Sequence, residues 1–180
     1  TSWSAVKTIG LDGSGKDYNT RQKNMIQYWS PKMGAAQVAI MYTPDEAKTS
    51  ASNKSNLSMS ATFDQDDIYA AVAYESRGDQ KTAGTTDSAL RVVGKYSLAD
   101  AWVGGLFESM KSNSTATTSL STKNFELVGG VNMGAGSLAA SYAKKGDTAS
   151  GAANNVTALA VKYAYKFSKR TEGFVAYGSR

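Results

Sequence analysis

The 180-residue chain has no cysteine and no histidine, which removes disulfides, thiol chemistry, zinc sites built on those residues and His-based triads from consideration. Its net charge of +5 is spread along the chain without a stacking platform, so no nucleic-acid partner is expected. Mean hydropathy is −0.37 and no window approaches the roughly 18 apolar residues of a membrane helix, which excludes helical spans but not strands that show lipid only every second residue.

The chain opens at Thr1 without an initiator Met or the basic, apolar and small-residue run of a secretory leader, so it is expected to begin inside a larger gene product. Residues 6–21 hold a charged constellation of Lys7, Asp12, Lys16, Asp17 and Arg21 among several glycines. No Gly-Lys-Thr/Ser follows and no helical pattern succeeds it, so a phosphate-binding loop is not expected.

From residue 23 onward the dominant signal has period two. Ten strands are predicted at 23–29, 35–42, 56–63, 68–76, 89–98, 101–111, 124–133, 137–144, 156–167 and 171–179. Leu57, Met59, Ala61 and Phe63 alternate with Ser58, Ser60 and Thr62. In the fifth stretch, Leu90, Val92, Gly94, Tyr96 and Leu98 oppose Arg91, Val93, Lys95 and Ser97. In the ninth, Leu159, Val161, Tyr163, Tyr165 and Phe167 oppose Ala160, Lys162, Ala164 and Lys166. Strand side chains point alternately to opposite faces, so each stretch has one greasy and one polar face, which a helix would not separate.

The predicted connections alternate in length. Short corners at 30–34, 64–67, 97–100, 134–136 and 168–170 are interleaved with longer polar links at 43–55, 76–87, 112–123 and 144–155. That rhythm describes an up-and-down meander with two unlike ends, and in outer-membrane barrels the short ends are periplasmic and the long ends extracellular. Aromatic residues near strand ends, among them Tyr28, Trp29, Tyr69, Tyr74, Tyr96, Trp102, Tyr142, Tyr163 and Phe174, suggest an interfacial girdle.

Two segments carry a specific resemblance. Ile26-Gln27-Tyr28-Trp29-Ser30-Pro31-Lys32, followed by Gly34 and the Gln37-Val38 strand, resembles the general porins of Gram-negative bacteria, of the betaproteobacterial trimeric type. Lys162-Tyr163-Ala164-Tyr165-Lys166-Phe167-Ser168-Lys169-Arg170-Thr171 is similar to the last hairpin of that family. The resemblance implies an all-β transmembrane barrel of sixteen antiparallel strands, in which the third extracellular loop folds into the lumen. The ten strands here would correspond to the sixth through the fifteenth. Residues 1–180 would then be one partial barrel domain, with 1–22 belonging to the pore-constricting loop and 23–180 to the membrane strands. Arg180 departs from the aromatic carboxyl terminus that the family favours.

With the apolar parity on lipid, the lumen would receive Gln27, Gln37, Ser58, Ser60, Thr62, Arg91, Lys95, Glu126, Asn132, Lys162 and Lys166. Of the charged members only Glu126 is acidic, so the pore is expected to prefer anions. Lys166 and Lys169 lie close to a turn and serve equally well as headgroup contacts. The resemblance sets Asp12 and Asp17 across an eyelet from the basic wall, with Lys7, Lys16 and Arg21 tilting the balance positive.

The implied function is an outer-membrane diffusion channel for small hydrophilic solutes and anions, with no enzymatic activity and no cofactor or metal. The implied partners are two further copies in a homotrimer, together with outer-membrane lipid and lipopolysaccharide. Because the family's subunit contacts lie mainly in strands absent here, most apolar faces should meet lipid. Gly104, Gly105, Gly129 and Gly130 are expected side by side on paired strands. The rival reading is a β-rich adhesin or binding module, whose apolar parity would be the core of a sandwich.

Overall fold

A computed structural model describes residues 22–113, 115–146 and 155–180. Its ten strands are β1 (Ile26–Trp29), β2 (Ala36–Thr43), β3 (Asn56–Gln65), β4 (Ile68–Gly78), β5 (Thr86–Ser97), β6 (Ala101–Asn113), β7 (Ser119–Met133), β8 (Gly136–Lys145), β9 (Val156–Ser168) and β10 (Thr171–Ser179). They form one sheet in the order β1 to β10, each antiparallel to the next. No described residue is helical. β1 and β10 each pair on one side only, which leaves two open edges among the described residues.

The strands differ from expectation at their ends. β1 starts at Ile26 rather than at 23, because Asn24 takes a left-handed conformation with φ of 54° and breaks the extended run. β6 and β7 pair further than expected, with Ser112 opposite Leu120 and Asn113 opposite Ser119, so the ladder reaches into both ends of the long link expected at 112–123. Ser and Thr read as loop residues by composition, yet they pair readily in a ladder whose neighbours already fix the register. The short corners hold: Asp66 at φ 51° and Gly134 at φ 61° supply the left-handed residue that a two-residue connection requires.

The two faces are opposite in character and inverted relative to a soluble sheet. Leu57, Met59, Phe63, Val72, Leu90, Val92, Phe107, Leu127, Tyr142 and Leu159 are all exposed. The largest fully buried side chains are Glu108, Asn124, Thr122, Asp87 and Ser112. Among the described residues the buried apolar cluster is small, Ala143, Ala158 and Ala160 with Leu106 and Val156 against it. Shelter along one parity and greater exposure along the other, from β2 to β9, is what results when a sheet rolls about its polar face. That face is called inner below.

At the long-loop end Asp79 ties two loops together. With φ of 44°, it accepts hydrogen bonds from the Asn53 amide at 2.6 Å and the Gly84 amide at 2.7 Å. The Asn53 amide is the main cause of its carboxyl lying below the ordinary 3.8, helped by the Gly84 and Thr85 amides and by Lys54, while burial opposes the shift. A depressed carboxyl contributes stability above its ordinary value and loses it as pH falls through its folded-state value. Protection of the Asn53 and Gly84 amides against hydrogen exchange, corrected for intrinsic rates, should therefore fall between pH 6 and pH 3, and Asp79→Asn should reproduce the low-pH result at pH 6.

Candidate functional site

The inner face is built by register. Nearest the long loops, Thr43, Asn56, Arg77 and Asp87 stand in one cross-strand row, all buried. Arg77 Nε donates to Glu75 Oε1 at 2.5 Å. Asp87 accepts from the Asn113 amide at 2.7 Å and faces the Ser112 hydroxyl at 3.4 Å. Two rows further along, Arg91 sits opposite Glu108, which sits opposite Asn124. Arg91 donates to Glu108 Oε2 through Nε at 2.7 Å and also through Nη2, and Asn124 Nδ2 donates to Oε1 at 3.2 Å. Both carboxylate oxygens are thus engaged, which is the condition under which a charge can be kept at 2% exposure.

The four lysines and arginines expected on the lumen all stand on the inner parity, in different circumstances. Arg91 is neutralised by Glu108. Lys162 lies 3.6 Å from Glu172 and 4.8 Å above the Phe174 ring. Lys95 stands 5.9 Å from the centre of the Trp102 ring and, like Lys166, has no carboxylate within ion-pair distance among the described residues. Lys7, Asp12, Lys16, Asp17 and Arg21 lie outside the described residues.

The expected surplus of cations on this face is corrected by the register. Asp64, Glu75, Asp87, Glu108, Glu126 and Glu172 share it with Arg77, Arg91, Lys95, Lys145, Lys162 and Lys166, so acids and bases are equal in number along the described strands. Parity missed Glu108 because its own face also carries Trp102, Leu106 and Met110, so β6 alternates poorly. Its place opposite Arg91 was the available signal.

Two further expectations change. Trp29, Tyr69, Trp102 and Phe174 belong to the inner parity rather than to an outward girdle, and each lies toward the short-turn end of its strand. The glycines do not stand side by side: Gly104 faces Val128 and Gly130 faces Trp102 on the inner parity, whereas Gly105 faces Gly94 and Leu127, and Gly129 faces Ala140, on the outer.

A comparison with curated proteins finds no match. Among solved structures, the fold is similar to OmpT (in-vitro folded), an outer membrane protein of Vibrio cholerae, with a TM-score of 0.68 and 15% sequence identity. The match covers 98% of this chain and 63% of that one, so the chain spans less than two thirds of that protein's length. At this identity the likeness is one of fold. The family model for Gram-negative porins matches residues 1–180. An apolar outer face, a charged inner face, the meander and the whole-length match agree: the chain belongs to the Gram-negative porin family, whose place is the bacterial outer membrane.

Proposed function

We propose that the protein forms the wall of a passive diffusion channel for small hydrophilic solutes and ions, and is not an enzyme. The carrying observation is the inversion of the two faces. A sandwich would bury Leu57, Met59, Phe63 and Val72 between sheets, yet these are exposed while Glu108 and Asp87 are buried. An apolar exterior and a charged interior suit a strand wall with hydrocarbon on one side and water on the other.

The open edges of β1 and β10 bear on closure. Each would leave a row of backbone donors and acceptors unpaired in hydrocarbon, so the working pore needs further strands to complete the wall. On this reading residues 1–180 are part of one barrel domain, and the assembled protein is a homotrimer. Contact with lipopolysaccharide is supported by Lys111, Lys123 and Lys144, which step diagonally across the outer faces of β6, β7 and β8 at the long-loop end, Lys111 and Lys123 beyond the Phe107–Phe125 pair and Lys144 opposite Phe125. These ammonium groups suit the phosphates of an outer-leaflet glycolipid.

A modest preference for anions is carried by Lys95 and Lys166, the exposed inner-face cations without a carboxylate partner among the described residues. In a planar bilayer under a salt gradient, the reversal potential of the assembled channel should lie on the anion side. Lys95→Glu with Lys166→Glu should move it past zero to the cation side. A potential unchanged by the double substitution would remove these two residues from the selectivity.

A further inference from the structure

On the inner face, beside the short turn at 98–100, one aromatic ring and one ammonium group stand together, the ammonium with no carboxylate within ion-pair distance among the described residues. Trp102 is the second residue of β6, and its cross-strand partner on β7 is Gly130. A Cβ at Gly130 would fall 2.8 Å from Trp102 Nε1 and 2.9 Å from Cε2, so the indole lies directly against bare β7 backbone at Gly130. Lys95, on the neighbouring strand, brings its ammonium to 5.9 Å from the ring centre. The nearest acid along its row, Asp64, is two strands away, about 10 Å by strand spacing, with Tyr69 between them on the same face.

We propose that Trp102 and Lys95 form a binding site for small aromatic carboxylates at the short-turn mouth of the channel. The indole offers a flat bicyclic surface, whose side away from Gly130 stacks against a planar π-system. A carboxylate on the edge of a ring stacked there reaches the Lys95 ammonium and supplies the counter-charge that no described residue does. A simple anion such as acetate meets only the lysine, and a neutral aromatic meets only the indole, so neither gains both contacts. Gly130 makes the site possible, because any side chain there would lift the indole off the wall.

The site rests on the channel reading for its access to water, and its test separates the two. Tryptophan emission of the assembled protein in detergent is titrated with 4-nitrobenzoate, which quenches an indole on contact. Saturable quenching is expected, competed by benzoate and not by acetate or benzyl alcohol. Trp102→Phe should abolish the saturable component. Lys95→Gln, at an exposed position, should weaken it by about tenfold, the loss of one charge-assisted contact. Gly130→Ala should weaken it without removing either group. Quenching that rises linearly, or that survives both Trp102→Phe and Lys95→Gln, overturns the site. Single-channel current is recorded on the same samples. Current without saturable quenching sinks the site alone, whereas saturable quenching in a protein that carries no current upholds the site and sinks the channel.

Discussion

Val92→Arg lowers the stability of the bilayer-embedded protein by about 2–4 kcal/mol, the cost of a basic side chain on the lipid face near mid-membrane, whereas Val93→Arg costs about 1 kcal/mol. The two residues are neighbours near the middle of β5 and chemically identical. Their difference lies in the row each occupies. Val92 is flanked by Val72 and Phe107 on the outer face, where its side chain is 43% exposed and hydrocarbon is the only environment available. Val93 is flanked by Ala71 and Leu106 on the inner face, where a guanidinium reaches water. Its residual cost comes from the like charges of Arg91 and Lys95 two residues away on that face. Urea unfolding from lipid vesicles measures both. Equal costs would mean that the two faces do not meet different solvents.

Arg91→Ala should destabilise by about 3 kcal/mol, the low end for breaking a buried ion pair, because it strands the Glu108 carboxylate at 2% exposure. The low end applies because the Arg91 side chain is itself 34% exposed, so solvent already screens part of the pair. Asn124 still donates one hydrogen bond to Glu108, which limits the loss. Glu108→Gln should cost less, about 1 kcal/mol, since the amide keeps one acceptor and Arg91 retains water. The double substitution Arg91→Met with Glu108→Leu should recover most of the Arg91→Ala loss, because it removes both charges together. Shifts in the urea midpoint at constant slope give all three values.

The parts of this fold legible in the sequence are those where the two faces differ sharply in polarity. Residues 159–167 alternate aromatic or branched side chains with Ala and Lys, and β9 extends through that whole stretch with every large apolar residue facing out. β6 was harder to read because its inner face holds Trp102, Leu106 and Met110 beside Glu108. A crowded wall accepts apolar residues against small neighbours such as Ala89 and Gly130, so polarity alone no longer separates the faces. The extension of β7 back to Ser119 was illegible for a different reason: Ser, Thr and Lys say nothing of pairing until the strand beside them is in place. The charge balance required register, since Glu75, Asp87 and Glu108 take their meaning from Arg77 and Arg91 beside them.

The absence of cysteine makes the central claim directly testable, because any single cysteine introduced is the only thiol in the chain. Cysteines placed one at a time at 91, 92, 93, 94 and 95 of β5 are exposed to a charged, membrane-impermeant thiol reagent while current is recorded across a lipid bilayer. Reaction and partial block at 91, 93 and 95, with neither at 92 and 94, is the result expected of an inner face that lines a water-filled conduit. Reaction at the even positions, or at all five without any change in current, would contradict it.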